Sequence, residues 1–175
     1  MIVLNTPITE QDITTLKVGE KVLISGTIYT ARDQAHIRLV NEKNPKFELD
    51  GSILFYVGPT PNREGIPIGA SGPTSSYRMD ELAVPLMERG VKLMIGKGDR
   101  SSAFQEEMIK NKSVYLIATG GAGALLSSRI IKSKIIMYDD LKSEAIRELE
   151  VKDFPCFVAY DIYGGNIFER ENNNG

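Results

Sequence analysis

The chain has 175 residues, 42% of them hydrophobic, with no Trp and a formal net charge of −2, values expected of one folded domain and not of a disordered chain. Lys and Arg (21) nearly balance Asp and Glu (23), and no basic run interleaves with aromatics, which argues against a nucleic-acid partner. One Cys (Cys156) and one His (His36) exclude an internal disulfide and any zinc or iron–sulfur site ligated by this chain alone, so metal chemistry would have to come from another polypeptide.

Along the chain, Thr9 to Lys17 reads as a weak helix with Thr9 and Asp12 at capping-box spacing. Lys21 to Tyr29 is a β-branched strand, Arg32 to Val40 a helix and Ile53 to Val57 a buried strand. A long Gly/Pro-rich stretch from Gly58 to Pro73 follows, then a helix over Thr74 to Arg89 that Pro85 should kink or break. Val91 to Ile95 is a strand and Ser102 to Asn111 a helix, with a capping box between Ser102 and Gln105. Val114 to Ala118 is a strand running into the glycine-rich turn Gly120 to Gly123 and a short helix. Lys134 to Tyr138 reads as a strand, Leu141 to Leu149 as a helix and Phe154 to Asp161 as a strand. The turn Tyr163 to Asn166 leads into a last short strand. The rhythm is α/β, with strands buried on both faces.

The expected organisation is one domain over residues 1–170 and a solvated polar tail over 171–175. The longest apolar runs fall far short of the roughly 20 residues a membrane helix needs. The N-terminus has no basic start. A cytoplasmic protein without a membrane partner is therefore expected.

Gly69 to Asp80, GASGPTSSYRMD, is the segment whose chemistry is most specific. Gly72 permits a sharp turn and Pro73 suits the first position of a helix. The N–H groups of Thr74, Ser75 and Ser76 would then face an anion at a helix N-terminus, with three hydroxyls beside them. Arg78 lies four residues after Thr74, and its planar fork suits a carboxylate. An ordinary capped helix start with a surface Arg would use the same residues.

Thr30 to His36, TARDQAH, follows a strand, where α/β sites gather. Arg32 and His36 share a helix face and Asp33 could orient a neighbour; a capped helix with a charged first turn fits equally. Gly96-Lys97-Gly98-Asp99 also follows a strand and lacks the Ser or Thr and the spacing of a P-loop. Lys97 there could project into a site as a point charge, or be a solvated turn residue. Gly120 to Gly123 is half of a dinucleotide fingerprint without its acidic partner, which fits tight strand–helix packing better. Cys156 reads as a buried small hydrophobe.

Taken together, SGTIYTARDQAH, IGASGPTSSYRMD, IGKG, GGAGALL, DLKSEAI and DFP, in that order over nearly the whole chain, resemble the beta subunit, or C-terminal region, of class I fumarate hydratases and tartrate dehydratases. That resemblance implies a swivelling β/β/α fold. It implies a dicarboxylate clamp from Arg32, Arg78 and Lys97, with His36 also substrate-binding. Thr74 would act in proton transfer, supported by Asp33, Gly72, Ser75 and Ser76. Ser75 departs from the second threonine usual in the family and keeps a hydroxyl.

The reaction so implied is reversible hydration of fumarate to L-malate, in which a 4Fe–4S cluster acts as Lewis acid and fixed cations stabilise a dianionic intermediate. The cysteine count puts the cluster ligands on a partner alpha subunit, so this chain would be half of a shared site and inactive alone. Tartrate dehydratase beta subunit is the alternative substrate reading. A non-catalytic anion-binding or regulatory module is the alternative of another class. Arg78→Lys, which removes the fork and keeps the charge, should lower dicarboxylate kcat/KM about 100-fold. An unchanged value would make Arg78 a surface residue.

Overall fold

Ile53-Leu54-Phe55 and Leu93-Met94-Ile95 contain no polar residue, and strands so composed need cover on both faces. The computed structural model describes residues 1–56, 79–118 and 123–169, with side chains from 126 in the last block, and both faces of these strands are covered. In chain order its elements are β1 (Ile2–Asn5), α1 (Glu10–Thr14), β2 (Lys21–Thr30), α2 (Asp33–Val40) and β3 (Ile53–Phe55). Then come α3 (Asp80–Glu88), β4 (Leu93–Gly96), α4 (Ser102–Lys110), β5 (Val114–Ile117), α5 (Gly123–Ser128), β6 (Ile130–Met137) and β7 (Ile146–Tyr160).

Strands β1 to β5 are parallel neighbours in sequence order. β7 runs antiparallel to them and pairs with both β2 and β5, so β2, β3, β4, β5 and β7 close into a barrel-like ring. β1 lies against the first half of β2, and β6 against the first half of β7. The result is a mixed α/β fold.

Side-chain alternation sorts the ring into an inside and an outside. Ile24, Ile28, Ile53, Phe55, Leu93, Ile95, Val114, Leu116, Leu149 and Val158 join the inner core. Leu54, Tyr56, Met94, Tyr115 and Tyr160 point the other way, into a second core with Ala35 and Leu39 of α2, Leu86 and Met87 of α3, and Phe104 and Met108 of α4. Helices α2, α3 and α4 thus form one layer over strands β2 to β5. Cys156 is fully buried in the inner core, as its apolar setting predicts.

One local expectation holds, and the break expected at Pro85 does not occur. Thr9 and Asp12 form the reciprocal capping box at α1. α3 runs through Pro85 to Glu88, where the sequence predicts a kink or break; the part of that predicted helix before Met79 lies outside the described residues, as do Gly58 to Pro73, Gly120 to Ala122 and the tail.

Three expectations need correction. The N-cap of α4 is Ser101, whose hydroxyl accepts the Phe104 N–H at 3.1 Å, and not Ser102. With Phe104 at the third helical position, no capping box can form. Leu141 to Leu149 is not a helix. Asp139–Glu144 makes a short 3-10 turn broken at Lys142 (φ 55°, ψ −111°), and β7 begins at Ile146. Its Leu, Lys, Glu and Arg favour helix, but Leu149 and Val151 are buried while β7 has partners on both sides there. Beyond Tyr163 to Asn166 there is one bridge, Tyr160 to Asn166, and then helical backbone at 167–169, in place of a final strand.

Gly90 closes the turn between α3 and β4 at φ +101°, where a Cβ would lie 2.7 Å from the Asp50 Cα. Backbone cannot yield as a flexible side chain can. Gly90→Ala should therefore destabilise the fold by about 2 kcal/mol or more in urea unfolding.

Candidate functional site at the strand C-terminal rim

Parallel strands end at the same edge of a sheet, and sequence-adjacent parallel strands place the loops that follow them side by side. Here β2 leads into Arg32, β3 into Tyr56 and the segment after it, and β4 into Lys97. The ladder continues past the strands: Ala31 N–H donates to the Phe55 carbonyl at 3.0 Å, Tyr56 N–H to Ile95 at 2.9 Å and Ala118 N–H to Gly96 at 3.3 Å. Arg32 and Lys97 therefore follow strands of one hydrogen-bonded rim, with the end of β3 between them. Gly72, Thr74, Ser75, Ser76 and Arg78 themselves lie outside the described residues.

Arg32 is half-buried and is the N-cap of α2, where its extended backbone turns into the helix without a side-chain cap bond. Its Nε is buried with no hydrogen-bond partner among the described residues. Asp33 follows in the first helical turn, on the favourable side of the dipole. Lys97 is exposed at the rim, just beyond β4.

His36 is not at the surface. It is 0% exposed on the inward face of α2, edge-on to the Tyr56 ring at 5.1 Å between centroids. Its Nδ1 lies 2.9 Å from the Arg32 carbonyl. A carbonyl only accepts, so Nδ1 carries the proton of the neutral ring and Nε2 keeps a lone pair. That Nε2 and the Tyr56 hydroxyl are both buried without partners among the described residues. Burial above all, and Arg100 nearby, push the His36 pKa down to about 4, against the contact with the Arg32 carbonyl and the pull of Asp33.

Below the rim lies a group that the sequence motifs did not mark. The Arg100 side chain is 0% exposed, with its guanidinium carbon 3.7 Å from the Phe104 ring centroid, 5.0 Å from Tyr115 and 5.3 Å from Tyr56. Its Nε donates to Asp80, whose other oxygen accepts the Ser101 N–H at 2.7 Å. Both terminal nitrogens are buried without hydrogen-bond partners among the described residues. The Tyr160 hydroxyl accepts the Arg100 N–H at 2.6 Å and donates to Asp99. Asp99-Arg100 directly follows the GKG turn, and Asp80 ends the RMD sequence; a charged residue bordering each motif was the available signal.

A groove elsewhere, lined by Thr6, Pro7, Thr27, Tyr29, Glu48 and Asp50 among others, contains none of the predicted site residues. Two carboxylates in its wall would repel a dicarboxylate. Among the described residues no three His, Cys, Asp or Glu side chains converge as metal ligands. Burial pushes the Cys156 thiol well above its ordinary pKa. The described side chains thus do not fit ligation of an iron–sulfur cluster.

A ring of strands whose C-terminal rim presents Arg32 and Lys97, over a buried arginine, defines an α/β protein suited to holding anions at that edge. A sequence model of the family described as Fumarase C-terminus matches residues 1–171, and the chain belongs to this family. It is 31% identical over 171 residues to the L(+)-tartrate dehydratase subunit beta of Escherichia coli K12, spanning 94% of this chain and 85% of that relative. A Methanocaldococcus jannaschii protein, provisionally named as the same kind of subunit, is 35% identical over 94% of this chain and 90% of its own length. The aerobic class I fumarate hydratase of Salmonella typhimurium is 34% identical over 95% of this chain, which corresponds to 30% of that longer protein.

Burial of neutral His36 couples stability to pH. Its folded pKa, about 4, lies below the unfolded value of about 6.5. The unfolded chain therefore binds the extra proton first as pH falls, and stability is lost between those two values. Unfolding free energy should drop by about 2 kcal/mol between about pH 7 and pH 5 on this account. In His36→Gln the drop over the same interval should shrink, as measured by urea unfolding at each pH.

Proposed function

We propose that this chain is the beta subunit of a two-subunit hydro-lyase that reversibly hydrates fumarate to L-malate. The observation that carries the reading is the rim: three parallel strands end side by side, Arg32 and Lys97 follow two of them, and in sequence the chain beyond the third runs on to GPTSSYR. Membership of the family supports the reaction class. In this reading the barrel corresponds to the family's swivelling β/β/α domain, filling residues 1–170.

The roles follow from charge and proton bookkeeping. In the dehydrating direction, a proton leaves the carbon beside one carboxylate and hydroxide leaves the neighbouring carbon. Negative charge builds on the carboxylate flanking the carbanionic carbon. Arg32, Arg78 and Lys97 meet the two carboxylates and that developing charge with positive groups already fixed in place, which spares solvent reorganisation. Thr74 carries the proton; a threonine hydroxyl is too weak a base unaided, so it works as a relay or under activation by its neighbours.

His36, neutral and donating to the Arg32 carbonyl, steadies the helix start that bears Arg32 and so bears on substrate binding through that residue. Asp33, Gly72, Ser75 and Ser76 shape the two anion-facing segments. The partner is an alpha subunit that supplies the ligands of a 4Fe–4S cluster.

Tartrate is the second reading. Relatives named for tartrate and for fumarate match at similar identity, 31% and 34%, while RMD leans to fumarate. Anaerobic co-expression with a cysteine-bearing alpha subunit, followed by assays on both substrates, decides between them. Turnover of fumarate above tartrate is expected, with none from this chain purified alone. Activity of the isolated chain would refute the shared site, and an inactive pair on both substrates would favour the non-catalytic module.

A further inference from the structure

Three side chains from three different elements converge on the turn that carries Lys97. From β5, the Tyr115 hydroxyl donates to the Gly98 carbonyl at 2.9 Å. From the end of β7, the Tyr160 hydroxyl accepts the Arg100 N–H at 2.6 Å and donates to the Asp99 carboxylate. From the first turn of α3, Asp80 takes Arg100 Nε on one oxygen and the Ser101 N–H, at 2.7 Å, on the other. Gly98 has φ +80°, and among the described residues a methyl there would meet nothing within 4 Å. Among those residues it is hydrogen bonds that tie the turn to its surroundings.

A buried ion pair is a poor device for stability, because desolvation of the charges offsets their attraction and apolar residues of similar volume serve as well. What it does supply is direction. Asp80 holds Arg100 through Nε with one oxygen and the next residue's N–H with the other, and the Phe104, Tyr115 and Tyr56 rings around the guanidinium restrict how it can turn. Asp80 is also two residues beyond Arg78 in sequence.

We propose that Asp80, Arg100 and Tyr160 are positioning residues that fix the Gly96–Arg100 turn so that the Lys97 ammonium meets the substrate carboxylate. This rests on the hydro-lyase reading, and on Lys97 as a substrate contact within it. None of the three touches the substrate; they act through the backbone on either side of Lys97.

The test is a double-mutant cycle in the assembled two-subunit enzyme, using Lys97→Met with Tyr160→Phe and with Asp80→Asn, read as kcat and KM on whichever dicarboxylate is turned over. If the frame serves Lys97, Lys97→Met costs about 50-fold or more in kcat/KM in the otherwise unaltered enzyme but only about threefold in either background. Equal factors in all backgrounds overturn the proposal.

Hydrogen exchange on the same complexes is the second readout. Amides at 97–101 should exchange faster in Tyr160→Phe while β3 and β4 keep their protection. Unchanged exchange there also overturns the proposal. Should Asp80→Asn fail to assemble, Tyr160→Phe, which removes one hydroxyl, still completes the cycle. If the unaltered complex acts on neither fumarate nor tartrate, the hydro-lyase reading falls, and exchange alone decides whether the frame holds the turn.

Discussion

The four parallel strands β2 to β5 leave β2 and β5 each with a side to pair, and in this chain one antiparallel strand takes both. β7 pairs along β2 on one side, and on the other with β6 in its first half and β5 in its second. Everything at the rim depends on that double pairing. It bends five strands into a ring, separates an inner core from an outer one, and aims the ends of β2, β3 and β4 the same way. The irregular points of β7 make the double pairing possible. Its register slips between Ile24 and Gly26, and Asp153, opposite the slip, adopts φ 51° with its N–H on the Ser25 hydroxyl at 3.0 Å. A long strand that serves two neighbours must change direction, and a bulge is how strands do so.

The rim divides its work by depth. Arg32 and Lys97 are at or near the surface. Arg100, Asp80, Tyr160 and His36 lie beneath, where water is excluded and each hydrogen bond constrains more. The lower tier is aromatic as well as charged, which lets a guanidinium be buried against ring faces. His36 belongs to this tier in structure, although the sequence places it beside Arg32.

The strands were legible because their composition left no alternative. Ile53-Leu54-Phe55 or Val114-Tyr115-Leu116 can only be covered on both faces, and Thr9 with Asp12 announced its helix start. The first part of β7 was not legible, since IRELE is good helix sequence and becomes strand only because β2 and β6 flank it. Ring closure is likewise a long-range property: nothing local in Lys21 to Thr30 says that Phe157 will pair with it. The position of Arg32 and Lys97 just beyond strand ends could be read from the sequence, because a strand pattern directly precedes each. Arg100 could not, because an arginine in a charged turn reads as solvated until the rings that bury it are assembled from α4, β3 and β5.

Cys156 gives the ring one more property. Its sulfur is sealed inside the closing strand, with ionisation suppressed by burial, and a thiol in that state is inert to alkylating and oxidising reagents. The reagent reaches it only after β7 has parted from β2, so the rate of thiol modification becomes a clock for opening of the whole ring. The protein carries its own single-site reporter of global unfolding, in the one strand whose departure would scatter the rim.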